Sequence, residues 1–267
     1  MQPLNPDADA LVLRRAIDRG VCAQGIITAP STMQVVASQY QIGFDQGKAA
    51  ADYVTANLGG NAQVIYFNLD TAAPQLKIRH RGVLDGLKTG GGGIKVVRDL
   101  TVAEISTKSG FRTMMGALQT NPDIKVVLGG DTIVVGSYKA LKDSGKLKDD
   151  MFLSGVDGDK EALELVKLGG AYKLSIAFAW SLMGYGLGQF GADWIAGKQV
   201  PRMLFAKGVP LDSAAAVGRF TAASADPASV FADRKRYEEY LPLYGNVSHN
   251  TRTTYWTKPV DPPKSAS

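Results

Sequence analysis

From Val64 to Phe178 the chain keeps repeating one arrangement, a compact apolar run followed by a stretch with helical spacing, and this alternation restricts the fold more than any other feature. The apolar runs are Val64–Phe67, Ile94–Val97, Lys125–Leu128, Phe152–Val156 and Leu174–Phe178. The intervening stretches, at about Gln75–Lys88, Val102–Thr120, Val134–Ser144 and Lys160–Leu168, are each long enough to cross from one parallel strand to the next. A βαβα order of this kind predicts an α/β fold, a doubly wound parallel sheet with helices packed on its faces.

The flanks follow the same logic. Pro6–Arg19 has helical spacing and stops at Gly20, a short apolar segment runs from Cys22 to Thr28, and a polar linker leads into a helix over Tyr40–Leu58 that Gly59-Gly60 ends. Beyond the alternation come a helix at Trp180–Ala196, an extended run at Val200–Lys207, and a tail expected to hold two short helices before an unstructured Pro-Pro-Lys-Ser-Ala-Ser end. With 267 residues, 45% of them apolar, the chain can bury one large core or two modest ones.

Several function classes drop out on composition. The net charge is +5, but lysines and arginines alternate with acids and form no dense stripe, so nucleic acid is not the expected partner. Cys22 is the single cysteine and there are two histidines, which excludes an internal disulfide and the usual zinc sets; no metal or cofactor is implied. No apolar run reaches the roughly eighteen residues that a spanning helix needs.

In a wound sheet, ligands lie beyond the carboxyl ends of the strands, where loops converge and helix N-termini offer free N–H groups. The expected ends are Asn68-Leu69-Asp70-Thr71, Gly129-Gly130-Asp131-Thr132, Asp157-Gly158-Asp159 and Phe178-Ala179-Trp180. A carboxylate there can accept two hydroxyl hydrogen bonds in fixed directions, so Asp157 leads the ligand-binding candidates, with Asp131 and Asp70 beside it. The competing reading makes Asp131, Asp157 and Asp159 caps of the helices that follow. Lys77 or Arg79 could reach a ligand oxygen, while Arg81, Lys88 and His80 read as solvated cations. Phe178 and Trp180 could stack on a sugar face, against the more ordinary fate of Phe178 as core.

Catalysis has little to work with. Asp157 and Asp159 could hold Mg²⁺ for phosphoryl transfer, but no strand-tip lysine or nucleophile accompanies them. Gly90–Gly93 follows a helix and precedes a strand, the reverse of a phosphate cradle, and the hydrolase, zincin and Walker motifs are missing. The expectation is a protein that is not an enzyme.

The order of segments resembles the ribose-type periplasmic binding proteins from about Pro3 to Pro201. The stretches that carry the likeness are PLNPDADALVLRRAIDRGV, SQYQIGFDQGKAAADYV, QVIYF, LKIRHRGVLDGLK, NPDIKVVLGGDTIVVGSYKALKDSGK and FLSGVDGDKEALELVKLG. The resemblance implies two α/β lobes that close on a small sugar-like ligand and pass it to a membrane ABC permease. It also implies a monomer without cofactor or nucleic-acid partner, in the periplasm or at the cell surface. Residues 41–178 would be a complete second lobe, residues 1–40 and 179–206 a remnant of the first, and residues 207–267 a C-terminal extension.

Carried over singly, Asp157 aligns with the family's sugar-gripping aspartate. Lys77 stands where an arginine is usual, Gly130 where an asparagine precedes the aspartate that is Asp131 here, and Phe178 where a glutamine is usual. The polar grip is thinner than in ribose binders. The family begins with three further strand–helix units, which at about thirty residues each is roughly ninety residues, together with an export signal. The chain therefore reads as truncated, with Met1 an internal start and the isolated chain a weak binder. Effector domains of sugar-responsive repressors, which carry an upstream helix-turn-helix, share the architecture and remain an alternative.

Overall fold

A computed structural model describes residues 6–26 and 30–254. In chain order it begins with α1 (Pro6–Asp18), β1 (Gln24–Gly25) and β2 (Met33–Val36). There follow α2 (Gln39–Asn57), β3 (Ala62–Asn68), α3 (Leu76–Lys88), β4 (Ile94–Thr101), α4 (Thr107–Thr120), β5 (Ile124–Leu128), α5 (Asp131–Asp143), β6 (Phe152–Asp157), α6 (Lys160–Leu168) and β7 (Tyr172–Ala177). The remainder comprises α7 (Trp180–Ile195), β8 (Val200–Phe205), β9 (Val209–Leu211), α8 (Ala214–Ala225), α9 (Pro227–Phe231), α10 (Arg234–Glu238), β10 (Leu243–Val247) and a 3-10 turn at His249–Thr254. The final Pro-Pro-Lys-Ser-Ala-Ser and the end of the Cys22–Thr28 segment lie outside the described residues.

Two compact units result. One gathers the chain up to Ser38, Phe178–Lys207 and the chain from Phe220 on; the other holds Gln39–Ala177 and Gly208–Arg219. The segment after Lys207, expected as an extension, thus divides between them: β9 joins the sheet of the larger unit and β10 that of the other. Both add as antiparallel edges, β9 on β7 and β10 on β8, so neither sheet is purely parallel.

The sheet of the larger unit has the order β4-β3-β5-β6-β7-β9, parallel from β4 through β7. The chain steps outward from β3 to β4, then reverses across β3 to β5 and continues to β7. Right-handed crossovers therefore put α3 on one face and α4, α5 and α6 on the other. Burial on both faces explains the strand composition: Val64, Ile65, Val126, Val127, Leu128 and Leu153 are fully enclosed, as near-continuous Val/Ile/Leu strands require. Register sets the strand ends level, Tyr66 beside Leu128, Leu128 beside Ser154, and Asp157 beside Ala177.

On the α3 face, α2 and α3 pack backbone to backbone. Glycines make this possible: a β-carbon at Gly43 would strike the Arg79 carbonyl, at Gly47 that of Val83, at Gly82 that of Tyr40 and at Gly86 that of Phe44. Two pairs of glycines, each four residues apart, thus face each other across the contact. The same device recurs between α4 and α5, where Gly110 meets Ile133 and Gly136 meets Thr107.

The smaller unit has a sheet of order β1-β2-β8-β10. Its strand β2, in a stretch expected to be a polar linker, lies inside that sheet, with Met33 and Val35 buried. The tail fastens to the rest of this unit. His249 stacks on Trp194 with ring centroids 4.2 Å apart, Trp194 Nε1 donates to the Gly20 carbonyl at 2.8 Å, and Arg252 donates to the Asp18 carbonyl at 3.1 Å.

Overpacking should make the helix contact measurable. Gly47→Ala and Gly82→Ala are each expected to lower unfolding free energy by about 1–3 kcal/mol. Gly116→Ala, on α4 where a β-carbon meets open space, should instead raise it by up to about 1 kcal/mol. Urea denaturation of the three variants checks both signs.

Candidate functional site

The reversal of winding falls between β3 and β5, and at such a switch point the loops of neighbouring strands diverge and leave a crevice. A narrow hollow lies there. Tyr66, Phe67 and Leu69 line it from β3 and its end, Gly129 and Gly130 from the end of β5, Leu76 and Arg79 from α3, and Gln46 from α2. Gln46 is buried and donates to the carbonyls of Gly129 at 3.0 Å and Ser154 at 2.9 Å, which satisfies the backbone just where β5 and β6 stop pairing. Arg79 is half-buried, and its Nε donates to Gln39 at 2.9 Å. Burial lowers the Arg79 pKa from its ordinary value, opposed by the charge of Asp157.

Asp157 ends β6 with a φ of 117°, the one non-glycine residue of positive φ among those described. Holding an L-residue in that region costs on the order of 1–3 kcal/mol and persists only where surroundings dictate it. Its carboxylate lies close to Gly130, where a β-carbon would sit 3.9 Å from Oδ2. Desolvation pushes the Asp157 carboxyl up to about 7; Arg79 pulls it down, and Asp131 and Asp159 push it up. Asp157 thus lies beside Gly130 at the wall of the hollow and is coupled electrostatically to Arg79, which lines the hollow from α3.

Asp131 turns out differently from its expected part as a ligand contact. It is wholly buried, and its two oxygens accept from the Gly158 and Asp159 amides, both at 2.8 Å, from Tyr172 Oη at 2.8 Å and from Ser175 Oγ at 2.7 Å. With four donors from its own chain, three on Oδ2 and one on Oδ1, and no exposed surface, the carboxylate is closed to a solute. Nor does it cap its own helix α5; it caps the loop that leads into α6. Burial pushes its carboxyl up to about 6, while the bonds from Ser175, Tyr172 and Asp159 hold it down. Asp159, the N-cap residue of α6, makes no side-chain bond to that helix and accepts instead from Thr132 at 2.7 Å.

Asp70 is drawn to the other side of the β3 end. His80, expected as a solvated cation, lies between two carboxylates, Nδ1 2.9 Å from Asp70 and Nε2 2.7 Å from Asp99, while Asn68 donates to Asp99 at 2.7 Å. Partial burial opposes its charge, but the two carboxylates prevail and raise its pKa. Consecutive positions on α3 therefore point Arg79 and His80 into different clusters. Lys77 is exposed and takes no part in the hollow. Phe178 and Trp180 belong to the other unit, their rings 5.3 Å apart; Phe178 is buried and Trp180 is 51% exposed.

Sequence reasoning missed Gln46, Tyr66, Tyr172 and Ser175. Only Gly155 left a trace, since a glycine within a buried strand signals close approach, here by the Asp131 carboxylate and the Tyr172 hydroxyl.

Known proteins carry the same pattern. A family model described as a periplasmic binding protein domain matches residues 1–199. The D-apiose import binding protein of Actinobacillus succinogenes is 27% identical over 161 residues, 59% of this chain and 47% of its own length. A relative from Rhizobium meliloti is 23% identical over 201 residues, 72% of this chain and 63% of its own. The chain thus spans about half to three-fifths of the length of these curated relatives. Among solved structures, a Mycobacterium smegmatis protein in complex with β-D-fucofuranose superposes with a TM-score of 0.72 at 18% identity, over 91% of this chain and 79% of the other. An ABC transporter solute binding protein of Bacillus halodurans with bound myo-inositol does so at 0.65 and 18%, over 84% and 76%.

The raised Asp157 carboxyl fixes a pH dependence. The folded state retains a proton that the unfolded chain gives up near 3.8, so this group's contribution to stability is full below about 4 and is lost as pH rises towards 7. Asp157→Asn should therefore gain stability relative to the parent as pH climbs through that window, with the gap level above it. Urea midpoints from pH 4 to 8 would show it.

Proposed function

Since the chain belongs to the periplasmic binding protein domain family, we propose that it is the solute-binding component of an ABC-type importer, gripping a sugar or similar polyol without changing it. It works in the periplasm or at the cell surface as a monomer and hands its ligand to a membrane permease. The unit with the hollow is assigned to the second lobe of the family and the other unit to the first.

The observation that carries this reading is that Arg79 lines the switch-point hollow and the Asp157 carboxylate, electrostatically coupled to it, lies beside Gly130 at its wall. A carboxylate accepts from two hydroxyls and a guanidinium donates to hydroxyl or ring oxygens, so together they match the alternating donors and acceptors of a vicinal diol. The ligands named for the relatives, D-apiose, β-D-fucofuranose and myo-inositol, share that chemistry. Lys77, exposed two positions before Arg79 on α3, is a further proposed contact. Asp131 is reassigned from contact to support.

A thermal-shift screen of pentoses, hexoses and cyclic polyols against the full-length protein tests the proposal. One class should raise the melting midpoint, and a ligand at a hundred times its Kd adds about 2.7 kcal/mol. Asp157→Ala and Arg79→Met should each weaken that affinity by about 10- to 100-fold, the range for a lost charged hydrogen bond. No shift with any sugar or polyol, or full affinity in both variants, would overturn the reading.

A further inference from the structure

We propose that Asp131 is a positioning residue for the ligand site: its buried carboxylate clamps the Gly158 and Asp159 amides and so forces Asp157 into the orientation that faces the hollow. This rests on the reading of Asp157 as a ligand contact.

Three observations converge. First, the clamp is built from separate elements: the carboxylate comes from the start of α5, the amides follow β6, and Tyr172 and Ser175 stand on β7. Second, room for it is made in the middle of β6, where any side chain at Gly155 would collide with Asp131 and with the Tyr172 hydroxyl. Third, what the clamp holds is a strained turn, Asp157 and Gly158 in succession at positive φ of 117° and 79°. Two hydroxyls fix one carboxylate, and that carboxylate turns two consecutive amides inward. With both amides pinned, the peptide before them cannot relax to negative φ without breaking a charged hydrogen bond.

The role differs from space filling. Leucine at 131 is close to aspartate in size and shape and can fill the Gly155 cradle, but it offers the Gly158 and Asp159 amides no acceptor. Asp131→Leu should therefore preserve the packing and lose the clamp. Tyr172→Phe removes one of the hydroxyls and leaves the carboxylate in place, a milder version that serves if the first variant does not fold.

Amide hydrogen exchange of the full-length protein, resolved by residue with NMR, reads the clamp without any sugar. In Asp131→Leu the Gly158 and Asp159 amides should exchange about tenfold faster or more, with β3 amides little changed; Tyr172→Phe should show the same pattern at smaller amplitude. The Asp157 carboxyl, followed by ¹³C NMR, should drop from about 7 towards the ordinary carboxylate range as its loop rehydrates. Titration with myo-inositol and D-apiose should then show Asp131→Leu losing affinity about as far as Asp157→Asn does. Unchanged exchange at Gly158 and Asp159, or acceleration spread evenly over β3 to β7, would overturn the clamp. If the local exchange changes but the parent protein binds neither sugar, the clamp stands as geometry and the sugar reading fails instead.

Discussion

Placing a carboxylate in the interior of a sheet-and-helix layer is costly unless every lone pair finds a donor, and the larger unit is organised around meeting that demand at Asp131. The demand reaches into several elements at once. Strand β6 must carry a glycine at 155, β7 must bring Tyr172 and Ser175 to the same carboxylate from positions three apart, across a register shift in its pairing with β6, and the loop after β6 must turn two amides back. Partial satisfaction would be worse than an apolar core, because an unpaired buried acceptor keeps its full desolvation penalty. A group of this kind specifies one loop conformation where hydrophobic packing alone would permit several.

The glycine-mediated helix contacts act in the same direction. Because α2 and α3 meet through backbone, small shifts of α3 against α2 are blocked by main-chain atoms, and these cannot rotate out of the way as side chains do. Arg79 projects from the same turns that make this contact, beside Gly82 and opposite Gly43. Its approach to the hollow is thus set by the stiffest part of the unit. Asp157, by contrast, is held by hydrogen bonds across a strained loop. One half of the charged pair rests on packing and the other on polar clamping, so the two respond differently to temperature and pH.

The sequence made most of this architecture legible where burial is two-sided. Strands β3, β5, β6 and β7 are predominantly apolar and were placed to within a few residues, as was α6 at Lys160–Leu168. Legibility failed at edges and at short elements. Strand β4 continues through Arg98, Asp99 and Thr101, residues expected in a loop, because an edge strand tolerates charges; α4 accordingly starts at Thr107, after its Ser106 cap, and not at Val102. Strand β2 offers four residues among serines, threonines and glutamines, and its partner β8 is remote in sequence. In the site, Asp157 and Arg79 could be nominated from strand-tip logic alone. That Asp131 faces inward and His80 is bracketed by acids depends on partners far along the chain, which no local pattern encodes.

The path of the chain through its two units also governs how the protein is made. All strands of the larger unit except β9 are complete once Ala177 has been synthesised, and β9 follows by Leu211, so this unit assembles from nearly contiguous chain. The smaller unit joins its earliest described helix to β8, β10 and the His249–Thr254 turn, and must wait for nearly the whole polypeptide. In synthesis α1, β1 and β2 thus precede the larger unit yet meet β8 and the His249–Thr254 turn only after it. Chaperone contact during translation is therefore expected to concentrate on α1, β1 and β2.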